Sequence, residues 1–218
     1  MCFSAEASLG GAAVLGIIGY ATLKKTSLQP SLQLIAIIPL MFALQQLSEG
    51  FIWLSYSYSF PELFVTAVKY IFLLFAFIIW PFWIPFAFSY AESPGWRLNV
   101  LRAITVLGAF TSLTFAYTGF SQTLNVIMWG QSLRYLGTVP DLTLPYVVAT
   151  VLPFFITSIQ KFKWVGVGMF GAFLLTLYIY FYNFISVWCF FAALLSAGFY
   201  LALREEPERS RLTTSSKV

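Results

Sequence analysis

The chain has 218 residues, of which 60% are hydrophobic, 20% aromatic and only 9% charged, with a mean hydropathy of +0.83. That balance excludes an ordinary water-soluble domain and points to a chain solvated mainly by lipid. The net charge of +4 comes from twelve basic residues scattered in ones and twos, a pattern that argues against nucleic acid as a partner. With no histidine and only Cys2 and Cys189, the chain lacks the commonest metal ligand, haem ligand and general base, and no metal or other cofactor is expected.

A bilayer crossing needs roughly 20 mostly apolar residues. Seven apolar segments of about that length occur in chain order, at 4–23, 32–56, 64–90, 98–120, 142–159, 164–182 and 185–203. The opening MCFSAE has no basic region and no small-residue cleavage site follows it, so the first segment reads as a retained helix and Cys2 as unacylated. Small residues recur where helices can approach closely: Ala12, Gly16 and Gly19, then Gly168 and Gly171, then Ala193 and Ala197. Pro81 and Pro85 should bend the third helix and Pro153 the fifth. The segment 121–141 is long for a bundle connection, and LNVIMWGQSLRYLG within it fits an interfacial or lid helix, or an aromatic seal at the rim. The charged and Ser/Thr-rich tail, 204–218, is expected to be disordered. A division into two related halves is not supported by shared patterns between segments.

Counting basic residues on alternate sides fixes an expected orientation. One side holds Lys24, Lys25, Arg97, Arg102, Lys161, Lys163, Arg204, Arg209, Arg211 and Lys217; the other holds Arg134 alone, with Lys69 inside a span. The fold expected is therefore all-α, a single seven-helix transmembrane bundle over 1–203, N-terminus outside and tail in the cytoplasm. Its place is a cell membrane, crossed several times, most simply the bacterial inner membrane.

The second span carries Gln45-Gln46-Leu47-Ser48-Glu49-Gly50 and then Trp53. Burying a carboxylate at the centre of a span costs roughly 2.5–3.5 kcal/mol on insertion scales, so Glu49 should face the bundle and pair or be neutralised. Gln45 and Trp53 lie one turn either side of it on the same face. Lys69 on the third span stands at a similar depth, about 8–10 Å below the outer surface, which makes a Glu49–Lys69 ion pair the expected central contact. The alternative has Lys69 extending to the headgroups while Glu49 bonds Gln45 or Ser48. Glu6, Gln131, Arg134 and Asn183 fall on the same side, suggesting a polar pocket that opens outward.

MCFSAEAS at the start, AIIPLMFALQQLSEGFIWL in the second span and the seven-span outline resemble a family of bacterial membrane proteins of unknown function that begin with a Met-Cys-Phe-Ser-Ala signature. The resemblance implies that Cys2, Phe3, Ser4, Gln46, Glu49 and Trp53 are the family-type positions. Seven-helix lipid hydrolases use histidine and aspartate metal sites, and a retinal pigment needs a lysine in the last helix; neither set is present.

Three functions fit these residues. The first is binding or transport of a small polar or amphipathic molecule, possible lipids included, by Glu49, Lys69, Gln45, Gln46, Trp53, Glu6 and Arg134. The second is a membrane enzyme acting on a lipid headgroup, with Glu49 as acid or base and Cys2 or Ser4 as nucleophile. The third is a structural or partner protein in which the buried ion pair fixes helix register. A Cys2–Cys189 disulfide is compatible with both lying toward the outer face.

Overall fold

The structure, a computed structural model, describes residues 4–120, 125–129, 132–136 and 143–203. Helix α1 spans Ala5–Lys25; α2 (Pro30–Ala36) and α3 (Ile38–Leu54) form one rod bent at Ile37. The next rod is α4 (Glu62–Leu73), a π-helical stretch Leu74–Ile79, and α5 (Trp80–Ala91). Helix α6 covers Trp96–Phe120, and α7 (Thr143–Val151) with α8 (Pro153–Ile156) makes a short rod. Helix α9 spans Phe162–Ile179, and a 3-10 turn at Phe181–Asn183 leads into α10 (Phe184–Ser196) and α11 (Gly198–Leu203). Six of these seven rods are long and apolar enough to cross a membrane. The chain is thus a multi-pass membrane protein by the length and composition of its helices.

The seventh rod, Thr143–Ile156, is shorter than the expected 142–159 span, roughly 21 Å at 1.5 Å per residue. Pro153 breaks it at Leu152, and at Thr157 the backbone turns extended (φ −54°, ψ 149°). The chain is caught there by Glu92, whose Oε2 accepts from the Ser158 N–H at 2.9 Å and the Thr157 hydroxyl at 3.2 Å.

Proline also shapes the third rod, by a route more specific than a bend. The Trp80 N–H reaches back five residues to the Phe75 carbonyl, the π register. Continued one residue, that register would have Pro81 donate to Ala76, and proline has no N–H. The Tyr146 hydroxyl donates to the Ala76 carbonyl instead, at 2.8 Å, and Ser112 donates to the Ile78 carbonyl at 2.7 Å. Tyr146→Phe should therefore leave a buried carbonyl unsatisfied and cost about 1–3 kcal/mol, measured as a lowered thermal unfolding midpoint in detergent. Pro85, four residues after Pro81, brings no N–H to the Pro81 carbonyl, and α6 fills the space at Gly108: a Cβ there would fall on that carbonyl oxygen.

Helices α1 and α3 pack as a close antiparallel pair. A Cβ on Gly19 would lie 2.7 Å from the Leu40 nitrogen, and one on Gly50 would lie 2.5 Å from Leu9 Cδ2. These two contacts set the register and place Ser8 level with Gly50. Of the small residues singled out above, Ala12, Gly19 and Ala193 are buried in packing and Gly168 meets Leu195, whereas Gly16 and Gly171 face open space.

The segment expected to be either an interfacial or lid helix or an aromatic seal at the rim contains a β-hairpin, β1 (Asn125–Trp129) paired antiparallel with β2 (Ser132–Leu136). Cross-strand pairing of the β-branched Val126 and Ile127 with Tyr135 and Arg134 satisfies the backbone while one face packs inward. Val126 and Leu133 are buried, Tyr135 stacks on Phe72 at 5.0 Å, and the Tyr56 hydroxyl donates to the Val126 carbonyl at 2.9 Å. The hairpin rests against α10 and the 3-10 turn, covering part of one end of the bundle.

The opposite end is closed by four fully buried rings, Phe88, Phe154, Phe162 and Phe199, with centroids 4.9–6.0 Å apart around the cluster. Around this end lie Lys24, Lys25, Arg97, Lys161 and Lys163, with Trp96 and Trp164 exposed beside them, and Lys25 set over the Tyr200 ring. Basic and indole side chains so placed suit a headgroup layer.

Candidate functional site

Helix α3 is the most buried of the spans, and its polar residues are inside it rather than on its surface. Gln45, Gln46 and Glu49 have no exposed area, and Ser48 and Trp53 are nearly as enclosed. The spacing explains why: 45, 49 and 53 recur every turn, so one stripe faces the same neighbours along its length. From α10, the Ser186 hydroxyl donates to Glu49 Oε1 at 2.5 Å. From α5, the Trp80 indole donates to Gln45 Oε1 at 2.8 Å, and its ring stacks on Phe42 at 3.9 Å. Ser48 bonds back to the Gln45 carbonyl at 2.7 Å and takes no part in holding Glu49.

Several polar atoms of this stripe are buried without a hydrogen-bond partner: Gln45 Nε2, both amide atoms of Gln46, Glu49 Oε2, Trp53 Nε1 and, from α1, Ser8 Oγ. Leaving such groups unmade costs roughly 1–3 kcal/mol each. A fold assembled for packing alone gains nothing from collecting them on one stripe, so their concentration marks a site of chemical interest.

The Glu49–Lys69 ion pair is not formed. Glu49 is sealed against Ser186, and Lys69 is half-exposed on α4. The buried positions of α4 are Val68, Phe72 and Leu73, and Lys69, at the edge of that face, keeps part of its surface exposed. Glu6 is exposed in the first turn of α1, away from the stripe. Arg134 sits on β2 with its guanidinium 5.0 Å from the centre of the Tyr182 ring. Ser4 is the N-cap of α1, its hydroxyl accepting from the Ala7 N–H at 3.2 Å; as a cap it already has a structural role. Cys2 and Gln131 lie outside the described residues, and Cys189 is a buried free thiol. The polar stripe thus unites Gln45, Gln46, Glu49 and Trp53, but neither Lys69 nor Glu6.

Beside the stripe is a cavity of about 480 Å³. Its wall is aromatic, with Phe77, Phe115, Tyr146, Phe173 and Trp188 among the lining residues, and it reaches the surface near Thr143 and the exposed Phe181, at the hairpin end. Cys189 belongs to this wall. It follows Ser186 by one helical turn, and because α3 and α10 run in opposite directions it stands at the level of Gln45. The expected outward polar pocket is therefore two adjoining parts: an apolar, aromatic chamber, and a polar stripe behind the Cys189 wall. Sequence reasoning missed Ser186, Trp80 and the chamber. A hydroxyl in the otherwise apolar FISVWCFF run was the available signal for Ser186; the chamber had none, since its rings look like any membrane-facing aromatics.

A family model described as "Family of unknown function (DUF6629)" matches residues 1–214. No curated protein and no solved structure matches the chain.

Proposed function

We propose that this chain, which belongs to the DUF6629 family over residues 1–214, binds a small amphipathic molecule, its apolar body in the aromatic cavity and its polar end toward Cys189 and the α3 stripe. The observation that carries this is the cavity itself: about 480 Å³ lies within the ~300–1,000 Å³ of small-molecule sites, and its wall adjoins a buried carboxyl and amide group. In this orientation the basic end carrying Lys24, Lys25, Lys161 and Lys163 is cytoplasmic and the hairpin end outside, in a cell membrane crossed seven times. The phenylalanine cluster that closes the basic end favours binding over passage through the bundle. Arg134 and Trp53 then act at the hairpin end, Arg134 by holding the hairpin to Tyr182. Ser186 and Glu49 are close enough for nucleophile and base, as an enzyme requires, but Ser186 is not in the cavity wall, which favours binding over catalysis.

Ile185→Trp, which fills the cavity from its wall, is the test. Native mass spectrometry of the protein released from nanodiscs of defined lipid should show a retained 1:1 amphiphile on the wild-type chain and its loss in this variant. Equal retention by both would place any bound molecule elsewhere and end the proposal.

A further inference from the structure

We propose that the cavity selects a hydrophobic cation, a quaternary ammonium or comparable charge on an apolar body, over neutral and anionic molecules of the same shape. The inference rests on the cavity being a ligand site and adds the charge of what it holds. Seven of the twelve lining residues are aromatic, and none is Lys or Arg. Phe173 meets Trp188 edge to face at 5.7 Å and 86°, while Phe184 lies nearly parallel to Trp188 at 6.3 Å and 12°. Differently tilted rings thus border one space, and a cation set against any of their faces would meet the negative lobe of the ring quadrupole, the attraction by which aromatic sites recognise quaternary ammonium groups.

The buried carboxyl group nearest the cavity favours the same sign of guest. Glu49 is the one charged residue type fully buried among the described residues, no basic side chain pairs with it there, and its Oε2 has no hydrogen-bond partner. It is tied through Ser186 to α10, the helix that supplies Ile185, Trp188 and Cys189 to the wall. Without a partner a carboxyl group in so apolar a setting is held neutral, and a cation one helical turn away would supply the opposite charge against which it can ionise. The nearest basic group on the hairpin, Arg134, is set over Tyr182 outside the lining, and Lys69 is on the flank of α4. A cation in the chamber would have aromatic rings around it and an ionisable carboxyl group behind the Cys189 wall; an anion would have the same groups with the wrong sign, and a neutral molecule gains only burial.

Benzyltrimethylammonium and neopentylbenzene differ in a charged nitrogen against a carbon and little else, and benzenesulfonate supplies the anion. Each is titrated into the protein in nanodiscs, and binding is read as the wild-type minus Trp188→Phe difference in indole fluorescence, which cancels partition into lipid. The expected result is affinity for the cation at least about tenfold above that for the hydrocarbon, no response to the anion, and loss of most of the cation's advantage in Glu49→Gln. If Glu49→Gln does not yield folded protein, Phe184→Leu must weaken the cation more than the hydrocarbon. Equal affinities for cation and hydrocarbon would overturn the charge selection while leaving the cavity as a binding site. No difference signal with any of the three would remove both.

Discussion

Gly108→Ala should abolish or severely reduce the yield of folded protein, a loss of about 3 kcal/mol or more from one methyl group. The added Cβ would fall on the Pro81 carbonyl oxygen, a backbone atom that cannot rotate aside, so α5 and α6 must separate along a long contact. Overpacking of this kind costs about 1–3 kcal/mol even where side chains can yield. Gly171→Ala is the control, since nothing lies within 4 Å of its Cβ, and it should be neutral or slightly stabilising because alanine is the better helix former. Size-exclusion profiles and thermal unfolding of the two variants in the same detergent decide the matter: matching behaviour would mean that α5 and α6 do not meet at Gly108.

Phe162→Ala carries the second large effect, about 3–5 kcal/mol, the range for removing a buried phenyl ring. Phe162 touches Phe88, Phe154 and Phe199, so its loss leaves three rings facing a void at the closed end of the bundle. Phe155, a close neighbour in sequence but 36% exposed, should cost much less when replaced by alanine. The same variant bears on passage through the membrane. If the cluster is the barrier, Phe162→Ala should raise the leak of a small polar tracer from proteoliposomes, and an unchanged leak would locate the barrier elsewhere.

Composition and hydropathy were enough to read the helical, membrane-embedded class and the approximate extent of six rods, because length and apolarity are one-dimensional quantities. The depth of a residue along its span is also one-dimensional, and it was the ground for expecting Glu49 and Lys69 to meet. Which partner a buried side chain meets is not, and it is there that the ion pair failed: Glu49 bonds Ser186 from α10, while Lys69 stays half-exposed on α4. Tertiary pairing was illegible for a related reason. Ser186 is 137 residues from Glu49 in the chain, and Tyr146 is 70 from Ala76, so no local pattern connects either pair. The hairpin was not foreseen as strands since a short apolar run interrupted by Gly130 fits either periodicity, and cross-strand pairing decided between them. Pro81 and Pro153 were legible as disruptions, whereas the π register before one and the hydroxyl that compensates it were not.

The hydroxyl of Tyr146 belongs at once to the third rod, whose missing backbone donor it replaces, and to the boundary of the chamber. Whatever occupies the chamber therefore shares a wall with a structural tie. A guest large enough to swing that phenol aside would strip the Ala76 carbonyl of its donor and loosen the helix there, so tolerance for bulk is limited by the integrity of the span itself. Enlarging the chamber by trimming Tyr146 would weaken the scaffold in the same stroke, which couples the size of an acceptable guest to the stability of its host.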